Sequence, residues 1–166
     1  MNTESSTPRV KPPIIENIPG QLAERPQWVC WRLEERDDKM TKVPYMPGTE
    51  RRASSTDLMT WTTFSEALAA YEAGEPPYCG IGFVFCSADP FVGIDVDDCR
   101  NPKTGEISQW GQKIIDAFSA EGYVEASPTG TGIHIILEGT VEESVKTPNV
   151  EIYAQRRFFT ITGEKI

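Results

Sequence analysis

The segment FVGIDVDDC (residues 91–99) ends an apolar run with three carboxylates. Phe, Val and Ile dominate its first six residues, which predicts a β-strand. Side chains two positions apart on a strand point to one face, so we expect Asp95 and Asp97 to lie together. Asp98 faces away and is interpreted as structural. Neighbouring carboxylates repel each other unless a cation lies between them, which favours a site for Mg²⁺ or Mn²⁺; the alternative is a solvated strand end.

A glycine-containing loop and a further strand lie in SPTGTGIHIIL (residues 127–137). Gly130 and Gly132 allow backbone conformations that other residues avoid, and they let a phosphate approach the loop amides after Ser127. His134 is the only histidine of the chain and alternates with isoleucines, so we expect it on the open face of the sheet. It is interpreted either as a phosphate contact or as a packed strand residue.

The segment VEIYAQRRFFTITG (residues 150–163) adds one acidic residue and two arginines. Glu151 lies between apolar neighbours on a predicted strand, where it is either a solvated acid or a candidate third metal ligand. Arg156 and Arg157 in the following turn are either ordinary surface charges or a fork for a polyphosphate, since guanidinium groups match phosphate geometry.

The remaining pattern predicts an α+β fold with a mostly antiparallel sheet and helices on one side. A capping box at Thr63 and Glu66 begins one helix, which Gly74 ends, and Ser108 caps a second helix. The basic segment 37–57 is interpreted as turns. Strands are predicted at 27–33, 80–85, 91–96, YVEAS, IHIILEG, VEIYA and RFFTITG, with 80–85 and 91–96 joined as a hairpin.

The composition of the 166 residues predicts one globular domain, 21–166, behind a disordered polar tail, 1–20. No apolar run approaches the ~20 residues of a membrane helix, and no secretory signal is present. Four cysteines without C-x-x-C spacing argue against structural zinc and predict reduced thiols in a cytoplasm. The net charge of −9 is unfavourable for tracking a nucleic-acid backbone, so such a role would need a basic patch, metal ions or a partner domain.

The motifs GIDVDD, SPTGTGIHI and VEIY followed by RRFFTITG resemble the three motifs of the archaeo-eukaryotic primase superfamily. Those motifs are a D-x-D on a strand, a small residue before a histidine strand, and a single acid on a further strand. The upstream segment TKVPYMPGTERRASSTDLMTW is similar to the region before the first motif in phage and plasmid primase-polymerases. The resemblance covers about residues 26–164.

This resemblance implies an RRM-like antiparallel catalytic sheet (76–166) preceded by a smaller αβ unit (21–75), and a DNA primase and polymerase activity that uses dNTPs or NTPs. The implied cofactors are two Mg²⁺ or Mn²⁺ ions. The implied partners are a single-stranded DNA template, a primer, and a C-terminal helical or helicase domain or a separate helicase, in the cytoplasm of a bacterial or archaeal host. It assigns metal binding and catalysis to Asp95, Asp97 and Glu151, nucleotide binding to Ser127, Gly130, Gly132, His134 and Arg157, and DNA binding to Lys42, Arg51 and Arg52.

Two other classes of protein share part of this pattern. A metal-dependent nuclease or phosphodiesterase also gathers acids on strands, but it activates water and does not require triphosphate contacts from His134 and Arg157. A non-catalytic nucleic-acid-binding module on an RRM-like sheet would expose aromatic side chains rather than paired acids.

Overall fold

Two antiparallel sheets and three α-helices make up residues 10–166, the part of the chain that the computed structural model describes. This architecture confirms the predicted α+β class. The helices are α1 (Gly20–Ala23), α2 (Phe64–Ala73) and α3 (Gln109–Phe118). The strands are β1 (Trp28–Arg36), β2 (Lys39–Tyr45), β3 (Gly80–Phe85), β4 (Phe91–Val96), β5 (Gly122–Ala126), β6 (Ile133–Glu138), β7 (Val145–Lys146), β8 (Val150–Tyr153) and β9 (Arg157–Ile161).

The first sheet has the strand order β2-β1-β3-β9. Strand β2 lies inside the segment 37–57 that the sequence predicted as turns, and that prediction is wrong. Asp37 and Asp38 both have positive φ, which gives the tight turn that joins β1 to β2 as a hairpin. Pro44 obscures the strand pattern, but β2 is the edge of the sheet, where a proline is tolerated.

The second sheet has the strand order β5-β6-β4-β8-β7, so β3 and β4 lie in different sheets and do not form the predicted hairpin. The connection between them turns the chain from one sheet to the other around the Asp89 carboxylate. That carboxylate accepts hydrogen bonds from the backbone N–H groups of Cys86 at 2.9 Å and Phe91 at 2.8 Å, and from the Gln27 amide at 2.7 Å. This short loop can lead the chain from one sheet to the other because the Asp89 side chain accepts hydrogen bonds from the backbone N–H groups of the loop.

Both predicted helices begin as their capping residues indicate, and Gly74 ends the first; the second, α3, ends at Phe118. The capping box of Thr63 and Glu66 is formed at the start of α2, and Gly74 follows its end with φ +73. At α3, the Ser108 hydroxyl accepts from the backbone N–H of Gly111. None of the helices within residues 10–166 is long and apolar enough to cross a membrane.

The second sheet is buried on both faces. Its isoleucine and valine face, which includes Ile94 and Ile135, packs under Ile115 of α3. Its other face meets aromatic residues of the first sheet, where Phe85 and Phe159 lie edge to face with ring centroids 4.9 Å apart. Across the two sheets, Phe83 of β3 and Phe91 of β4 also lie edge to face, with ring centroids 6.0 Å apart, and this contact joins the sheets.

The sheets do not divide the chain at the predicted joint between residues 21–75 and 76–166. Strands β3 and β9 come from the second of these segments but pair into the first sheet. The predicted tail, 1–20, is described only from residue 10, and residues 1–9 lie outside the described part. Within that part, the backbone N–H of Ile14 donates to the Thr162 carbonyl at 2.8 Å.

Gly93 of β4 lies against Phe85 and Phe159 of the first sheet, and its substitution tests this contact. A Cβ atom at Gly93 would lie 2.6 Å from Phe159 and 2.7 Å from Phe85. We expect Gly93→Ala to lower the free energy of unfolding by about 1–3 kcal/mol, the usual cost of overpacking a core. Urea unfolding measures this, with Gly139→Ala as the control, because a Cβ there meets only Val92 at an ordinary 3.7 Å. Equal stability of the two variants would contradict the sheet packing.

Candidate active site

Five polar residues form one row across all five strands of the second sheet. The strand register places Glu125 opposite His134, His134 opposite Asp95, Asp95 opposite Glu151, and Glu151 opposite Lys146. Directly opposed residues in antiparallel strands project to the same face. The structure therefore brings together three predicted site residues, Asp95, His134 and Glu151, from three separate strands.

His134 is almost fully buried, contrary to the expectation that it lies on an open sheet face. Strand β9 covers that face, and the Phe159 ring lies 5.1 Å from the imidazole centroid. The imidazole Nδ1 is 3.0 Å from Glu125 Oε1, and Nε2 is 3.7 Å from Asp95 Oδ1. The histidine is thus both a packed residue and a residue directed at the acidic pair.

Glu125 is a site residue that the sequence analysis missed, and its side chain is fully buried. Its carboxylate accepts from the backbone N–H of Thr162 at 3.0 and 3.1 Å, the backbone N–H of Gly163 at 2.8 Å, and the Tyr123 hydroxyl at 2.8 Å. Burial and then the charge of Glu125 raise the pKa of Tyr123. The available signal was an acid inside the apolar strand YVEAS, directly before the glycine loop.

Asp95 and Asp97 lie together at the end of β4, as the strand pattern predicted. Partial loss of water around the Asp97 carboxyl, and then the charge of Asp95, raise the pKa of Asp97. Asp98 follows in an exposed turn with φ +54, away from regular strand geometry. The two aspartates therefore repel each other, and a cation between them would relieve that repulsion.

Glu151 is already engaged by protein cations. Its carboxylate lies 3.2 Å from Arg157 Nη2 and 3.4 Å from Lys146 Nζ, and it accepts from the Tyr153 hydroxyl at 2.8 Å. Burial alone would raise the pKa of Glu151, but the Tyr153 hydrogen bond and the charge of Arg157 outweigh it and hold that pKa below its usual value.

A cavity of about 310 Å³ opens beside the acidic row, between the two sheets. Lys42 of β2 lines it, and burial lowers the pKa of Lys42 although the charges of Asp95 and Asp97 oppose this effect. The Thr160 hydroxyl is buried without a hydrogen-bond partner among residues 10–166. The residues that line the cavity are Met40, Thr41, Lys42, Asp95, His134, Arg157, Phe158, Phe159 and Thr160.

The backbone amides of the glycine loop donate hydrogen bonds to acceptors within the loop itself. The backbone N–H of Gly130 donates to the Ser127 carbonyl at 2.8 Å, and that of Gly132 donates to the Ser127 hydroxyl at 3.1 Å. A Cβ at Gly132 would lie 2.5 Å from the Val96 carbonyl oxygen, so glycine lets the loop pack on the end of β4. In this structure the loop supports the strand end that carries Asp97.

The predicted DNA-binding residues occupy different surroundings. Lys42 lines the cavity, whereas Arg51 and Arg52 are exposed and are not among its lining residues. Arg52 Nη2 is 2.8 Å from Glu34 Oε2. The basic residues upstream of the first motif therefore do not lie together around the cavity.

The donor set fits a divalent cation held by two carboxylates. Within residues 10–166, no three Asp, Glu, His or Cys side chains converge as a ready metal-ligand group. Asp95 and Asp97 remain available, whereas Glu151 is paired with Arg157 and Lys146. Mg²⁺ and Mn²⁺ sites are commonly built in this way, with one or two carboxylates and with water and substrate phosphate as the other ligands.

Comparison with known proteins agrees with the motifs. No family model matches the chain. A DNA primase-polymerase of Nitratiruptor phage NrS-1 is 35% identical over 163 aligned residues, which cover 91% of this chain and 21% of the phage protein. The chain thus spans about a fifth of the length of that relative. The match confirms the resemblance predicted from the three motifs: over most of its length, the chain is similar to part of a phage DNA primase-polymerase.

Proposed function

We propose that this domain catalyses template-directed nucleotidyl transfer, joining dNTPs or NTPs to a primer on a single-stranded DNA template. One observation carries the proposal: Asp95 lies directly between His134 and Glu151, beside a cavity that Lys42 and Arg157 line. Acids that suit a metal and cations that suit a polyphosphate thus share one site. The similarity to a phage DNA primase-polymerase supports the same reaction.

Asp95 and Asp97 would hold Mg²⁺ or Mn²⁺. When bound, two such ions would lower the pKa of the attacking 3′-hydroxyl and offset charge on the leaving pyrophosphate. The raised pKa of Asp97 supports this assignment, because a cation would favour the charged form of both aspartates. Glu151 is the proposed third ligand, which requires its pairing with Arg157 and Lys146 to loosen.

Arg157 links the nucleotide to this acidic group. Its guanidinium pairs with Glu151 in this structure and also lines the cavity. A triphosphate in the cavity would compete for Arg157, and the release of Glu151 would then complete the carboxylate set. Arg157 could in this way couple nucleotide entry to assembly of the metal site.

The other residues that line the cavity would bind and orient the nucleotide. Lys42 supplies a charge, and His134 presents Nε2. The Thr160 hydroxyl, which has no hydrogen-bond partner among residues 10–166, offers a further hydrogen bond. A larger cavity of about 480 Å³ lies beside Leu22 and Phe91, but within residues 10–166 its only charged lining residues are Glu121 and Glu138. That cavity does not suit a triphosphate, so we place the nucleotide in the smaller one.

The template and further protein partners are also part of this proposal. Arg51 and Arg52 are exposed and would contact template phosphates, although the net charge of −9 leaves little attraction elsewhere. A helicase or helical domain, either on the same polypeptide or separate, would supply further DNA contacts. The setting would be replication of a phage, plasmid or mobile element in the cytoplasm of a bacterial or archaeal host.

Substitution of the aspartates tests the reaction. We expect Asp95→Ala and Asp97→Ala each to reduce primer extension by at least about a hundred-fold, the usual size of losing an electrostatic stabiliser. Asp98→Ala is the matched control, since Asp98 lies in the exposed turn beside them. The assay uses labelled dNTPs, a primed template and Mn²⁺. Degradation of the template instead of extension would favour the nuclease class. An absence of both extension and degradation would favour a binding module.

Metal binding can be measured without catalysis. At about 100 times its Kd, Mn²⁺ would stabilise the native protein by about 2.7 kcal/mol. For a chain of this size that corresponds to a rise in Tm of about 5–10 °C. We expect this rise in the wild type and in Asp98→Asn but not in Asp95→Asn, because Asp95 would bind the ion and Asp98 would not. A rise of equal size in Asp95→Asn would contradict the assignment.

Lys42 provides a test of the nucleotide site. We expect Lys42→Met to raise KM for dNTP about ten-fold or more, because charge-assisted hydrogen bonds contribute about 1.5–3 kcal/mol. The matched control is Lys39→Met on the same strand, where the side chain is exposed and does not line the cavity. Steady-state primer extension at varied dNTP concentration gives the KM of both variants. An unchanged KM in Lys42→Met would contradict the proposal that Lys42 binds the nucleotide.

A further inference from the structure

We infer that Glu125 is a positioning residue that holds the His134 imidazole with Nδ1 protonated and Nε2 directed at Asp95 and the cavity. Glu125 does not line the cavity and would act only through His134. The consequence for nucleotide binding rests on the function proposed above, whereas the state of the imidazole does not.

The hydrogen bonds of Glu125 determine which imidazole nitrogen carries a proton. Both carboxylate oxygens accept from the Thr162 backbone N–H, and Oε2 also accepts from Gly163 and from the Tyr123 hydroxyl. Backbone N–H groups can only donate, so both oxygens of Glu125 serve as acceptors. His134 Nδ1, 3.0 Å from Oε1, must therefore be the donor of that contact.

The packing around His134 fixes the direction of the ring. The imidazole is almost fully buried, and the Phe159 ring covers it at 5.1 Å with an angle of 32° between the planes. A ring flip would place a carbon atom against the Glu125 carboxylate and leave a buried charge without its partner, which is costly. Glu125 and Phe159 together keep a single orientation.

Nε2 is consequently the nitrogen that can meet a ligand. It lies 3.7 Å from Asp95 Oδ1, which is too far for a direct hydrogen bond, and His134 lines the cavity. Carboxylates behind functional histidines serve this purpose elsewhere in proteins, since they fix the tautomer and the ring orientation. The fully buried Glu125 has the contacts that such a partner requires.

The single histidine of the chain makes the state of the imidazole directly measurable. In ¹⁵N-labelled wild-type protein at neutral pH, the long-range ¹H–¹⁵N spectrum contains only one set of ring signals from histidine. We expect a protonated Nδ1 in that spectrum. An unprotonated Nδ1, or signals averaged between two tautomers, would overturn the inference without any variant.

Two variants separate positioning from a general structural role. Glu125→Gln keeps the size of the side chain, but its amide cannot accept from all the donors around it, so we expect the fixed Nδ1 proton to be lost. Tyr123→Phe removes a different hydrogen bond from the same carboxylate, and we expect its ring spectrum to match the wild type. An unchanged spectrum in Glu125→Gln would overturn the inference.

Kinetics supply the second measurement. We expect Glu125→Gln to raise KM for dNTP about ten-fold, the lower end of the effect of removing a partner behind a ligating histidine, with KM for the primed template unchanged. Tyr123→Phe should keep both values. An unchanged KM for dNTP in Glu125→Gln would overturn the positioning role. A wild-type protein with a protonated Nδ1 but no nucleotide incorporation would refute the proposed function and leave the assignment of Glu125 supported.

Discussion

The packing of Phe159 on Gly93 is the contact on which the rest of this structure depends. Phe159 belongs to β9, which pairs with β3 in the first sheet, and its ring crosses to the second sheet, where Gly93 has no side chain. The same ring covers His134. The contact therefore brings Arg157 and Thr160, on the same strand, to the acidic row, and it closes one wall of the cavity.

The acids of the row differ in how well their charge is balanced. Glu125 is neutralised by backbone donors and His134, and Glu151 by Arg157 and Lys146. Asp95 and the neighbouring Asp97 have weaker compensation within residues 10–166. His134 lies 3.7 Å from Asp95, and burial, then the charge of Asp95, raises the pKa of Asp97 although the charge of Lys42 opposes this. A bound cation would therefore be stabilised most strongly beside these two aspartates.

The cavity belongs to neither sheet alone. Lys42 comes from the edge strand of the first sheet, Asp95 and His134 from the second, and Arg157 from the strand that returns to the first. A nucleotide in this cavity would contact both sheets, and its binding would stabilise their mutual arrangement. The short loop around Asp89, which sends consecutive strands into different sheets, is thus as important to the site as any residue that lines it.

Features that depend on neighbouring residues could be predicted from the sequence alone. The strand pattern placed Asp95 beside Asp97, and the capping residues located α2 and α3, because both signals come from local backbone geometry. The separation of β3 from β4, the burial of His134 and the position of Glu125 behind it could not be predicted in this way. These features require strands that are distant along the chain to pair and pack, and the periodicity of a single strand carries no information about which partner will cover it.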